Sequence, residues 1–288
     1  MAMHTLTSIP LDISATKDVF VSAIRFATST GGSCPPFGDK LKISAQEQVE
    51  FMLQEDKDTP TVTADEEVKS VVRMGLSKIF WSFEQELSSL QLGSDLVHHT
   101  AEDRILQRLS DLEWICNILP RLNLMKEFVS NWAAVSGRVV GFIEDKKLDY
   151  VMWGLKLKLI ELTGKVLEAV GYGNVILPAP CRAQLLKTWL PFIRKLKTLL
   201  DSKAVEEEGF PYKMEEDLCQ SIEGAVVTSI LALPSNDQAD ILADWMKCEH
   251  IKYPDLSEAF ELWCYRSKAA TRRLTEGLDS VADATISL

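Results

Sequence analysis

Three residues near the end of the chain have side chains of the kinds that bind zinc. Cys248, His250 and Cys264 lie within 17 residues of one another, and Glu249 adjoins the first two. A structural zinc site needs four ligands, which usually come as closely spaced pairs, and the sequence has no second pair. Cys264, in the stretch FELWCYR, also occupies a plausible core-facing position. We therefore predict a packed cysteine and a loop histidine, with neither a metal site nor a cofactor.

Nucleophilic catalysis has little support in the residues. The chain contains four histidines, His4, His98, His99 and His250. The middle two precede Thr100, which we interpret as the N-cap of a helix. The sequence has no GxSxG motif, and no cysteine has the surroundings of a catalytic nucleophile. We predict that the chain is not an enzyme.

Two further stretches carry residue types that can handle phosphate or protons. GYGN at Gly171–Asn174 lacks the third glycine of a phosphate-binding loop, so we interpret it as a helix C-terminus with a left-handed glycine. EEEGF at Glu206–Phe210 is predicted to be a solvated loop rather than a pair of catalytic carboxylates.

One segment is basic in a chain that is otherwise acidic. The formal net charge is −11 and the isoelectric point is about 5.0, so phosphate backbones and anionic membranes repel the chain as a whole. We predict no nucleic-acid partner and no membrane partner. From position 182 to 203 only Asp201 is acidic, and the basic residues are Arg182, Lys187, Arg194, Lys195, Lys197 and Lys203.

Two interpretations of this basic segment remain open. Its charged residues lie on a different face of the predicted helix from the apolar stripe. One interpretation is therefore a docking face for an acidic partner. The candidate docking residues are Arg182, Lys187, Arg194, Lys195 and Lys197. The alternative is a solvated face opposite the acidic loop that follows.

Cysteine usage and the N-terminal residues bear on location. The six cysteines are scattered without a CxxC pair, and the first residues, MAMHTLTSIPLDIS, lack the basic and apolar regions of a signal peptide. The longest uncharged apolar stretch, residues 224–236, is too short to span a bilayer. We expect a cytoplasmic or nuclear protein.

Helical periodicity dominates the chain. Apolar residues recur at intervals of three and four from Met152 to Ala169, from Leu185 to Leu199, and from Ile105 to Cys116. Connections between such stretches are short. We predict an all-α fold of about ten helices in stacked antiparallel pairs, with little or no sheet. Five tryptophans on apolar helical faces are predicted to be core anchors: Trp114, Trp132, Trp189, Trp245 and Trp263.

Capping signals predict where several helices begin. The pairs that fit or resemble a capping box are Ser44–Glu47, Thr63–Glu66, Ser235–Gln238 and Asp255–Glu258. Pro234 disfavours helix at Leu233, so we predict that one helix ends there and that Ser235 caps another running to about Lys247. The stretch VVTSILALPSNDQADILADWM is thus predicted to be a helical hairpin.

Four ordered motifs between Glu102 and Arg273 resemble the C-terminal half of a family of plant BTB/POZ domain-containing proteins. The family pattern has D-x-x-W, LL-x-x-W-L, I-L-x-L-P-x-x-x-Q-x-x-(I/L)-L-x-x-W and P-(D/N)-L-x-x-A-F-E-x-W. These match Asp111–Trp114, Leu185–Leu190, Ile230–Trp245 and Pro254–Trp263. The resemblance implies an N-terminal helical region at 1–95 and a family-specific helical module at 96–273. The remaining residues, 274–288, have weak periodicity, and we expect a flexible tail there.

The resemblance also implies a function. Members of the family are generally regarded as substrate adaptors of cullin–RING ubiquitin ligases, in which the BTB domain contacts the cullin and the remainder selects the target. We place no BTB domain in this sequence. We therefore expect a non-enzymatic, target-selecting interaction module that reaches a cullin only if a longer form supplies a BTB domain. The alternative is a free-standing helical scaffold without a link to ubiquitin.

Overall fold

The fold is helical throughout the described part of the chain. A computed structural model describes residues 13–30, 38–54, 62–90, 98–144, 151–247 and 253–268, and none of these is in a strand. The α-helices are α1 (Ile13–Ala27), α2 (Gly38–Met52), α3 (Glu66–Leu90), α4 (His98–Ile118), α5 (Met125–Ile143), α6 (Trp153–Gly171), α7 (Ala179–Glu206), α8 (Glu216–Leu231), α9 (Ser235–Met246) and α10 (257–268). A 3₁₀ turn, Leu119–Leu122, follows α4. The predicted all-α fold of about ten helices is confirmed.

The chain divides into two compact units between Phe128 and Val129, after the first turn of α5. The boundary predicted at 95/96 rests on the sequence resemblance and stays a prediction. The predicted tail, 274–288, lies outside the described residues. Among the described helices, none combines the length and the apolar character needed to cross a lipid bilayer.

In the first unit, two helical pairs stack with α1 parallel to α3. Near the start of both helices, Lys17 Nζ binds Asp65 at 2.7 Å. Further along both helices, the side chain of Thr28 lies against Gly75, where a Cβ atom would come within 2.6 Å of it. Because the contacts advance along both helices together, α1 and α3 run in the same direction.

The second unit repeats this arrangement with α6 parallel to α8. Gly164 faces Leu218 and Ile222, and Gly171 lies so close to Ala225 that an added Cβ would be 2.5 Å from the Ala225 carbonyl oxygen. Small residues therefore let the two backbones approach each other closely. Stacking of helical pairs in a common direction is the arrangement of helical repeat proteins.

Two stacked tryptophans form the centre of the second unit. The rings of Trp132 and Trp189 are nearly parallel, with centroids 5.8 Å apart, and both side chains are buried. Trp132 Nε1 donates to Thr163 Oγ1 at 3.2 Å, and Trp189 Nε1 donates to Ser136 Oγ at 2.7 Å. Each indole thus packs in the core while its N–H is satisfied.

Three predicted N-caps are wrong. Ser44 lies inside α2, which begins six residues earlier at Gly38, and Thr100 lies inside α4, which begins at His98. The third helix starts at Glu66, two residues after the start that a Thr63 cap predicts, and its cap is Asp65, whose Oδ1 accepts from the N–H groups of Glu67 and Val68. A four-residue capping pattern also occurs inside helices, where it caps nothing.

Candidate interaction surface

The hairpin around Pro234 forms as predicted, with a different set of contacts. Helix α8 ends at Leu231, two residues before the predicted end, and α9 starts at Ser235 without a side-chain cap. The predicted capping role of the Ser235–Gln238 pair is therefore wrong. Gln238 Nε2 instead donates to the carbonyl oxygens of Leu233 at 2.7 Å and Leu231 at 3.3 Å. The buried amide joins the two helices because it satisfies carbonyl groups that α8 leaves open.

Two arginines from other helices bind the same end of α8. Arg182 Nη2, from α7, donates to Ala232 O at 3.1 Å, and Arg266 Nη1, from α10, donates to Leu231 O at 3.4 Å. A cation at a helix C-terminus is favoured by the partial negative charge of the open carbonyl groups. Charged side chains from one helix before the hairpin and one helix after it thus bind its turn.

Two further basic residues of α7, Lys187 and Lys197, have acidic neighbours. Lys187 Nζ binds Asp240 at 3.0 Å and Asp237 at 3.4 Å, both on α9. The hydrogen bond with Asp240 is the main reason why the pKa of Lys187 lies above its ordinary value. Lys197 forms an ion pair with Asp201 one turn along its own helix. These acidic partners lie on α9 and on α7 itself, whereas the solvated-face interpretation named the acidic loop that follows α7.

The sequence pattern indicated an exposed position for Arg194, but the structure shows that this residue is buried. Its side chain is 6% exposed, and its Nη2 atom donates to Trp245 O near the end of α9 at 3.2 Å. Lys195, the next residue, is exposed. The five candidate docking residues therefore do not form one continuous exposed face, and their role in docking stays a prediction.

The tryptophan predictions are correct for three residues out of five. Trp114, Trp132 and Trp189 are buried. Trp245 and Trp263 are half-buried instead. Trp245 Nε1 donates to Pro254 O at 3.0 Å, and Trp263 Nε1 donates to Ser235 Oγ at 3.1 Å, so both join helices near the surface.

The D-x-x-W motif contains a buried charge. Asp111 is 1% exposed, and its Oδ2 atom accepts from Lys42 Nζ at 2.7 Å and from Arg108 Nη1 at 2.9 Å. A buried carboxylate is tolerated only when such partners replace its water. The motif residue Asp111 therefore attaches α2 to α4 within the first unit.

The start of α10 confirms one capping prediction. Asp255 Oδ1 accepts from the Ser257 N–H at 2.9 Å, and Glu223 Oε2 on α8 accepts from the Asp255 N–H at 2.7 Å. At the end of α6, Gly173 has a φ of +78°, which confirms the left-handed glycine predicted in GYGN.

Sequence reasoning missed a cluster of half-buried aromatic side chains. Trp153 at the start of α6 packs edge-to-face on Phe210 with centroids 5.6 Å apart, and Phe210 packs on Tyr212 at the same distance. We call Trp153, Phe210 and Tyr212 the aromatic face. The signal was the pair of aromatics around Pro211, at the end of the EEEGF stretch that we predicted to be a solvated loop.

The residues considered for metal binding and catalysis are only partly described. Cys248, His250 and His4 lie outside the described residues, and Cys264 is half-buried on α10. Within the described ranges, no group of three or more metal-ligating side chains could hold an ion.

Comparison with known proteins gives a consistent set of relatives. The family model described as BTB/POZ Ankyrin-like repeat matches residues 54–270. A BTB/POZ domain-containing protein of Arabidopsis thaliana is 44% identical over 274 residues, which cover 92% of this chain and 60% of that protein. A second protein with this description from the same plant is 22% identical over 175 residues, covering 57% of this chain and 28% of that protein.

The chain thus spans about 60% of the length of the more similar relative and a smaller share of the other. No solved structure matches it significantly.

Proposed function

Because this chain belongs to the plant BTB/POZ Ankyrin-like repeat family, we propose that it is the target-selecting part of a substrate adaptor for a cullin–RING ubiquitin ligase. BTB/POZ proteins form a protein-interaction family, and the chain is a BTB-type protein-interaction module. The observation that carries the proposal is the family match across residues 54–270.

The helices supply a platform rather than a reaction centre in this proposal. The stacked helical pairs bury their apolar stripes against one another. In the core of the second unit, buried polar groups form hydrogen bonds with each other, as Trp132 does with Thr163. The two groups with the clearest burial effects on pKa, Cys219 and Tyr253, both have pKa values above their ordinary ones. Burial raises both pKa values, so this thiol and this phenol stay protonated near neutral pH and are poor nucleophiles.

The cullin contact in this proposal belongs to a BTB domain. The chain alone should bind the target protein, and a form that also carries a BTB domain should bind target and cullin together. Neither nucleic acid nor a membrane is a proposed partner, since the net charge of −11 opposes both. We place the protein in the cytoplasm or the nucleus, where a fluorescent fusion would reveal it.

Proximity labelling in plant tissue tests the proposal. The tagged chain and the same chain fused behind a BTB domain would be expressed side by side. We expect both to label a shared set of proteins, only the fusion to label a cullin, and loss of the gene to lengthen the half-lives of the shared proteins. Tight cullin binding by the chain alone would contradict the assignment of cullin binding to the BTB domain. Unchanged half-lives would favour a scaffold without a link to ubiquitin.

A further inference from the structure

We propose that the aromatic face, Trp153, Phe210 and Tyr212, binds a lysine- and arginine-rich segment of a partner protein. This inference rests on the proposed function, since it gives the chemical character of the segment by which a target would be selected. Its basis is an exposed apolar surface whose surroundings carry an excess of negative charge.

Two apolar side chains close in sequence to residues of the aromatic face are exposed. Val151, two residues before Trp153, is 46% exposed, and Val205, in the last turn of α7, is 88% exposed. Together with the three half-buried rings they leave apolar surface at the start of α6 and the end of α7 in contact with solvent. Exposed apolar surface of this kind is typical of protein-binding sites.

The charge beside the aromatic face is strongly negative. The twelve residues from 206 to 217 contain one basic residue, Lys213, and six acids, which are Glu206, Glu207, Glu208, Glu215, Glu216 and Asp217. All six are exposed. Two of them form ion pairs, Glu206 with Lys203 and Glu215 with Lys213. Glu207, Glu208 and Asp217 form no ion pair with any described residue, so this surface complements a basic partner.

A cation already lies on one of the rings. Lys156 Nζ is 5.2 Å from the centroid of the Trp153 ring, within the range of a cation–π interaction. Phe210 and Tyr212 present further ring surface beside the acids. Because the buried Lys156 already lies over Trp153, an arginine or lysine of the partner would gain ring contact from Phe210 and Tyr212 and carboxylate contact beside them, which an apolar or acidic segment would not.

The chain holds these rings in place before any partner binds. The Phe210 N–H donates to Glu207 O at 3.2 Å, and Gly209 between them has a φ of +88°, as the third residue of a type II turn requires. The Tyr212 ring also lies against Gly154, where a Cβ atom would be 3.3 Å from its Cε1. Rings that are already packed lose little entropy on binding.

Binding of labelled peptides to the full chain tests this proposal. The probe is a fluorescein-labelled peptide of alternating arginine and glycine, and its citrulline analogue has nearly the same shape without the charge. We expect fluorescence anisotropy to show saturable binding of the arginine peptide only. Replacing Glu207 and Glu208 by lysine should weaken binding by about tenfold or more, and Tyr212→Ala should weaken it by about fivefold.

The matched control changes an equal charge on another exposed surface. Glu47 and Glu50 are exposed on α2, close to the exposed Phe51, and form no ion pair with a described residue. The double change to lysine at these positions should leave affinity within about twofold of the original, because it alters net charge equally but spares the aromatic face. Thermal unfolding of every variant checks that the fold is retained.

Four results would overturn the inference. They are absence of binding, equal weakening by the two double variants, binding of the citrulline analogue as tight as that of the arginine peptide, and unchanged affinity in folded Tyr212→Ala. The adaptor proposal is judged separately, by the half-lives of labelled proteins. If these lengthen on loss of the gene while the variant with lysine at 207 and 208 labels the same set, the adaptor role stands and the basic-segment inference fails.

Discussion

The indole Nε1 of Trp189 donates a 2.7 Å hydrogen bond to Ser136 Oγ, a buried contact between residues 53 positions apart. The same hydroxyl donates to Trp132 O one turn earlier on α5. One serine therefore satisfies the tryptophan of α7 while its own proton is bound within α5. The bond constrains how the Trp189 ring lies against α5, because an indole has a single N–H donor.

Removal of this hydroxyl should destabilise the second unit. Ser136→Ala leaves the buried Trp189 N–H without a partner, and we expect the free energy of unfolding to fall by about 1–3 kcal/mol. Urea denaturation measures the loss. Thr228→Ala is the control, since Thr228 bonds one turn back in the same way but is exposed, and it should change stability little. An equal loss in both variants would contradict the role assigned to the bond.

Replacing each of three glycines by alanine should lower the free energy of unfolding most where the space around the glycine is smallest. Gly171→Ala puts a Cβ against the Ala225 backbone and should cost about 1–3 kcal/mol or more. Gly164→Ala meets only the side chains of Leu218 and Ile222 at 3.3 Å and should cost less. Gly137→Ala, exposed inside α5 with nothing within 4 Å, should stabilise by about 0.5–1 kcal/mol. Urea denaturation of the three variants measures the series, and stabilisation by Gly171→Ala would contradict the close α6–α8 contact.

Arg194 should matter for stability and its neighbour should not. Arg194→Ala removes a buried charge-assisted bond to Trp245 O, and we expect a loss of about 2–3 kcal/mol with faster hydrogen exchange at the end of α9. Lys195→Ala, on the exposed side, should leave both stability and exchange unchanged. If the two variants behave alike, Arg194 is not structural.

The burial of Arg194 changes how the basic segment can be tested for docking. Charge reversal at Arg194 would disturb the fold, so a test against an acidic partner has to use Lys195, which is exposed. We predict that Lys195→Glu reduces the salt dependence of binding if the segment docks an acidic partner. An unchanged salt response would favour the solvated-face interpretation.

Acid should weaken the contact between α1 and α3. The hydrogen bond from Lys17 is the main reason why the pKa of Asp65 lies below its ordinary value, and the Val68 N–H adds to it. Because this pKa is lowered in the folded state, the stabilisation is present above the pKa of the unfolded chain and is lost as pH falls through the folded value. The stability difference between the original chain and Asp65→Asn should therefore be largest near neutral pH and shrink towards about pH 3.

Urea denaturation across that range measures the difference. The control repeats it in a Lys17→Met background, where most of the pH dependence should disappear because the partner of Asp65 is gone. A difference that stays constant with pH in the original chain would contradict the ion pair.

The helices and many of their buried faces were predictable, because a helix repeats every 3.6 residues and its apolar stripe is local information. All six residues of the stripe from Met152 to Ala169 are buried, as the pattern predicted. The break at Pro234 was also predictable, since proline restricts its own backbone and that of the residue before it. The caps were less predictable: Asp65 competed with Thr63 two residues away, and only the backbone path selects between them.

The sequence by itself determined that this chain is helical, where most helices lie, and which family its motifs resemble, since each of these depends on residues close together along the chain. Only the tertiary structure decided that Arg194 is buried beneath α9 while Lys195 is exposed, and that Phe210 meets Trp153 across 57 positions of sequence. The physical reason is that a side chain's role as core, cap or surface depends on which distant backbone lies opposite it, and helical periodicity carries no information about that partner.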